Sequence, residues 1–114
     1  MTDPSLPLLS SEEISTLLSD VSAWNTDEEA TSISRTWILR DFDQAMNFAN
    51  AIADVARKIN HHPSITIDFK KVTITLTTHR VMGLTIHDFL VAKQIDQLPE
   101  AIGESVKNES FLAG

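Results

Sequence analysis

Three of the four histidines in this chain fall in one block: His61 and His62 side by side before Pro63, then His79 after two alternating apolar runs. Imidazole is the only side chain whose unperturbed pKa, about 6.5, lets it give and take protons near neutral pH. Such a cluster suits general acid–base chemistry. Adjacent side chains on an extended segment point to opposite faces, so His61 and His62 can serve one site only if the chain turns there. Read locally, a histidine pair at a helix exit is more commonly solvated or capping. A single histidine at a strand end, such as His79, is more commonly structural.

Other chemistries fit less well. His61, His62 and His79, with Asp68 or Asp88, could offer ligands to zinc. Adjacent ligands suit one tetrahedral ion poorly, and no His-Glu-x-x-His spacing occurs, so no metal is expected. No nucleophile elbow, phosphate-cradling loop or dinucleotide fingerprint is present, and only three glycines are available to build one. Asp88 stands at the third helical position after Thr85, where a carboxylate serves a capping box and the helix dipole. His87, beside it, reads as a surface group.

The elements that must position these residues follow from the apolar pattern. Ser10 and Glu13 form a capping box that opens a short helix, with Ile14, Leu17, Leu18 and Val21 as its stripe. Trp24 begins a possible edge strand. Ile33, Arg35, Trp37 and Leu39 alternate with Ser34, Thr36 and Ile38, a strand pattern. Asp41 and Gln44 make a second capping box, and the helix they start runs to about Ile59. Phe42, Ala45, Met46, Ala49, Ala53 and Ala56 form one of its stripes; Phe48, Ile52, Val55 and Ile59 form a neighbouring one. That is wider than a single buried face, so this helix either packs broadly on a sheet or shares a stripe with another subunit.

Asn60 suits a left-handed cap, and Pro63 pushes His62 toward an extended conformation. Ile65, Ile67 and Phe69, then Val72, Ile74 and Leu76, alternate with polar residues, and the break at Phe69–Lys70–Lys71 predicts a hairpin. Thr85 and Asp88 form a third capping box, opening a helix that carries Ile86, Phe89, Leu90 and Ile95 and stops near Gln97, before Pro99. The order of elements predicts an α+β domain, an antiparallel sheet with helices on one face. Residues 1–9 read as a flexible lead-in, 10–98 as the domain and 99–114 as a C-terminal extension with one more turn at most.

Composition narrows the function. At 114 residues the chain is one domain with enough surface to bury a core unaided. Without cysteine there is no disulfide, thiolate nucleophile or thiolate metal site, and a reducing cytoplasm is the easy fit. Sixteen acidic against nine basic residues give a net charge of −7, which repels phosphate backbones and argues against nucleic acid as a ligand. No apolar run is long enough for a membrane helix, and Met1–Leu9 lacks the features of a signal peptide.

Residues 57 to 88, RKINHHPSITIDFKKVTITLTTHRVMGLTIHD, resemble the pterin-4a-carbinolamine dehydratases. The resemblance lies in His61-His62-Pro63, the aromatic Phe69, His79 closing the second strand and Asp88 opening the last helix. KVTITLTTH before Gly83–Leu84, Trp24–Asn25 and the run Arg40–Asp41–Phe42 extend it over roughly residues 10 to 98. It implies a four-stranded antiparallel sheet with three helices, assembly into homodimers or homotetramers, and loss of water from 4a-hydroxytetrahydropterin. That reaction recycles the tetrahydrobiopterin-type cofactor of aromatic amino acid hydroxylases and requires no metal or cofactor.

By the same resemblance, His61, His62 and His79 line the pterin site, with His61 and His79 as the acid–base pair and His62 orienting the ring. Asp88 orients a histidine, contacts the ligand or merely caps its helix. Two departures stand out. Arg57 lies where the family commonly has an acidic residue, and Ser64–Ile65 replace a frequent glutamate and an aromatic, usually tryptophan. They favour an alternative, a dehydratase-like module without catalysis that docks on a partner protein through its long helix or a sheet edge.

Overall fold

The structure, a computed structural model, describes residues 7–102. Helix α1 (Ser11–Leu18) leads through a short 3-10 turn into strand β1 (Asn25–Thr26), strand β2 (Ile33–Ile38) and the long helix α2 (Phe42–Ile59). A hairpin of β3 (Ser64–Asp68) and β4 (Lys71–Leu76) follows, then a 3-10 turn (His79–Val81), helix α3 (Ile86–Asp96) and the one-turn helix α4 (Pro99–Ile102). The fold is α+β, with an antiparallel four-stranded sheet in the order β1-β2-β4-β3. No helix among the described residues is long and apolar enough to cross a membrane.

The alternating residues explain which face is covered. Ile33 and Trp37 of β2 and Val72, Ile74 and Leu76 of β4 are buried on the face against the helices. They pack with Phe48 and Ile52 of α2 and Phe89 and Ile95 of α3 in one core. Trp24, Trp37 and Phe48 form an edge-to-face series at 5.8 and 4.9 Å between centroids, which adds directional packing to area burial. The opposite face carries hydroxyls, with Thr36 paired across the strands to Thr73 at 3.0 Å.

Several expectations shift. Phe69 is not a strand residue. It occupies the left-handed position of the β3–β4 turn, at φ 57 and 64 % exposed, because Asp68 pairs with Lys71 and leaves only two residues to reverse the chain. The wide apolar surface of α2 divides: Ala45, Phe48, Ala49, Ile52, Val55 and Ala56 are buried, whereas Phe42 and Met46 are exposed. On α3, Val91 and Ala92 take core positions and leave Ile86 and Leu90 outside. Asp41 caps α2 as expected, accepting from Gln44 N–H at 2.8 Å, but the Gln44 side chain reaches back to Arg40 N–H at 2.7 Å instead of Asp41.

Candidate active site

Asn60 adopts the left-handed cap that its position foretells, at φ 61, with its N–H on the Ala56 carbonyl. The His61 N–H bonds the same carbonyl at 3.1 Å, so the chain swings sharply out of α2. The turn separates the two adjacent histidines. His61 tucks inward with 13 % of its side chain exposed, while His62 stays at the surface. β3 then runs antiparallel to β4, with Ser64 opposite Thr75, which brings the start of β3 and the end of β4 to the same end of the sheet. His79 is presented at that end, exposed, on the 3-10 turn that follows β4. A bridge between Thr78 and Gly83 closes this turn, with Met82 in a left-handed conformation at its exit.

Asp88 is fully buried and organises the site. Its Oδ1 lies 2.6 Å from His61 Nε2, and its Oδ2 accepts from Thr78 Oγ1 at 2.8 Å and from Thr85 N–H at 2.9 Å. Capping α3 and orienting a histidine, which read as rival roles in the sequence, belong to the two oxygens of one carboxylate. A buried carboxylate is tolerable only when its lone pairs are met, and here two donors and the His61 ring meet them.

His87 is not a simple surface group. Its ring lies 5.8 Å from that of His61 at an angle of 63°, edge to face. The signal for it was its place on the first turn of α3, one residue before Asp88. Arg57, one turn ahead of His61, is drawn to Asp54 at 2.6 Å and remains exposed, so its charge is partly balanced. Ile65 is half-buried at the edge of the core. Asp68 pairs with Lys71 at the far end of the hairpin, remote from any ligand set with the histidines. No group of three histidine or acidic side chains among the described residues is disposed to hold a metal ion.

The site thus combines a carboxylate-held imidazole with further histidines at the same end of an α+β sheet. The profile of the family described as pterin 4 alpha carbinolamine dehydratase matches residues 7–98, and the chain belongs to this family. It is 43 % identical over 91 residues to a protein of Nostoc punctiforme provisionally named pterin-4-alpha-carbinolamine dehydratase, covering 80 % of this chain and 96 % of that one. A relative from Nocardia farcinica with the same provisional name is 41 % identical, covering 80 % and 94 %.

Among solved structures, a transcriptional coactivator/pterin dehydratase from Brucella melitensis superposes with a TM-score of 0.75 at 28 % identity, over 79 % of this chain and 96 % of that one. A pterin dehydratase-like protein identified as a RuBisCO assembly factor in the alpha-carboxysome shares the fold, with a TM-score of 0.57 at 19 % identity, over 69 % of this chain and 89 % of that one.

Proposed function

We propose that the protein is a hydro-lyase that converts 4a-hydroxytetrahydropterin to quinonoid dihydropterin and water, in the recycling of a tetrahydrobiopterin-type cofactor. An acid protonates the departing hydroxyl, and the carbon–oxygen bond breaks to release water. A base takes a ring N–H proton, and the electron pair left behind becomes the new carbon–nitrogen double bond. Positioned histidines can each contribute roughly 10²–10⁴-fold to such a step. His61 and His79 serve as the acid–base pair, His62 binds and orients the ring, and Asp88 acts through His61.

The observation that carries this reading is the His61–Asp88 contact at 2.6 Å, inside the span that matches the dehydratase family. A histidine held by a buried carboxylate keeps one ring orientation, which proton transfer to a fixed ligand requires. Stopped-flow loss of the 4a-hydroxypterin absorbance tests it. The protein accelerates the decay, and His61→Ala or His79→Ala removes most of the gain. A wild-type rate equal to the spontaneous background overturns it.

A second reading, the non-catalytic docking module, draws support from Phe42 and Met46, exposed one turn apart on α2 at 47 % and 38 %. The same residues would serve a homodimer or homotetramer interface, and the dehydratase reading includes such assembly. The compartment proposed is the cytoplasm.

A further inference from the structure

We infer that Thr78 is a positioning residue whose hydroxyl, fed by Thr85, pins the Asp88 carboxylate as an acceptor and so holds His61 with its proton on Nε2 and its lone pair on Nδ1. The inference rests on the acid–base reading above and names the atom that reading leaves open.

The directions of the hydrogen bonds follow from what each group can do. An ionised carboxylate accepts only, so Thr78 Oγ1, 2.8 Å from Asp88 Oδ2, is the donor there. A hydroxyl has one proton to give. The 2.9 Å contact between Thr78 Oγ1 and Thr85 Oγ1 therefore runs the other way, with Thr85 donating. Thr85 N–H supplies Oδ2 with a second donor at 2.9 Å. The result is a one-way path, Thr85 to Thr78 to Asp88, ending on a charge.

At the other oxygen the same logic fixes His61. At 2.6 Å from Oδ1, Nε2 is a donor in a short bond, as bonds to a charged acceptor tend to be. A neutral imidazole has one N–H, so Nδ1 is the nitrogen free to accept. Thr78, Thr85 and Asp88 are 4 %, 0 % and 0 % exposed, so water cannot replace a missing donor. Of titratable groups, only His61 bonds Asp88 among the described residues. His61 in turn meets His87 of α3, and Arg57 stands one turn back on α2, paired with Asp54. The end of β4 contributes only the uncharged Thr78 to the carboxylate.

Thr78 has a second task that explains why this position does the holding. Its N–H donates to the Gly83 carbonyl at 2.9 Å, which closes the turn presenting His79. One residue therefore fastens the exposed histidine by its backbone and the buried one by its side chain.

The test is ¹⁵N NMR of the histidine rings together with steady-state kinetics. In the wild type, neutral His61 shows a protonated Nε2 and a bare Nδ1. In Thr78→Val, Oδ2 has lost one of its two donors, so the carboxylate is no longer pinned and the His61 ring departs from the single Nε2-protonated tautomer. There kcat falls roughly tenfold or more and KM changes little, as expected when a buried acceptor loses one partner. Thr78→Ser restores both the tautomer and kcat.

A bare Nε2 with protonated Nδ1 in the wild type overturns the inference. So does a folded Thr78→Val with the wild-type tautomer and kcat, or a Thr78→Ser that fails to recover them. If Thr78→Val does not fold, the wild-type tautomer and Thr78→Ser decide the matter. The NMR readout needs no turnover, so an inactive protein with the expected tautomer sinks the dehydratase reading and leaves the positioning role standing.

Discussion

His61 and Asp88 stand 27 positions apart in the chain and meet at 2.6 Å, one at the exit of α2 and the other in the first turn of α3. The contact ties the helix that ends at the histidine pair to the helix that begins beside it. Stability and chemistry therefore share a residue.

Replacing Asp88 should separate those two contributions. Asp88→Ala leaves Thr78 Oγ1, Thr85 N–H and His61 Nε2 without their acceptor and removes a helix cap, which should cost about 2–4 kcal/mol. Urea denaturation measures that loss. Asp88→Asn keeps the volume and one carbonyl acceptor, so it should lose less stability while still losing roughly tenfold or more in dehydration rate. An Asn variant with the wild-type rate would show that the charge does nothing for His61.

Asp96 gives a prediction for pH. Burial raises its pKa above the ordinary 3.8, outweighing the opposing bonds from Trp24 Nε1 and Arg35, each at 2.9 Å. Over the window just above 3.8 the folded state then binds more protons than the unfolded chain, so this group's contribution to stability falls as pH rises. Wild-type stability relative to Asp96→Asn should accordingly shrink between about pH 4 and the raised folded value. Urea midpoints of both proteins from acid to neutral pH check this, and a constant difference would contradict it.

Phe69 sits at φ 57, where a side chain with a Cβ is disfavoured. Phe69→Gly should therefore stabilise the hairpin by about 0.5–1 kcal/mol, because little packing is lost from a ring that is 64 % exposed. Thermal unfolding measures the gain.

Phe42 and Met46 form an apolar pair on the outside of α2. A double change to glutamate should leave the fold intact, within about 1 kcal/mol, since neither side chain is buried. Sedimentation should then show a smaller species than the wild type. An unchanged mass would remove this surface from any assembly.

Much of this architecture was legible in the chain. The strands at Ile33 and Val72 alternate cleanly because one face of the sheet is buried and the other carries hydroxyls. Helix α2 and its left-handed exit at Asn60 follow from Asp41 and a long apolar pattern. What stayed hidden were tertiary choices among equally apolar residues. Periodicity cannot say that Met46 faces out while Ala49 faces in, or that Val91 displaces Leu90 from the core. Phe69 misled because two residues had to make the turn, and pairing register decides that, not local preference.

Residue types drew attention to His61, His62 and His79, and the family resemblance, not spacing alone, added Asp88 to them. The involvement of Thr78 and the approach of His87 depended on how α3 docks against the end of β4. No local pattern encodes a threonine hydroxyl reaching a carboxylate ten positions later.

The segment ahead of α1 also bears on the histidine loop. Leu9 N–H bonds the Leu84 carbonyl at 2.9 Å, and the Leu8 side chain lies so close over Gly83 that a methyl group there would sit 2.6 Å from it. This segment works as a strap laid across the loop from outside. Shortening the chain past Leu9, or crowding Gly83 with alanine, would slacken the strap and let the His79 turn drift, a fault that would surface as poor ligand affinity well before any loss of the folded core.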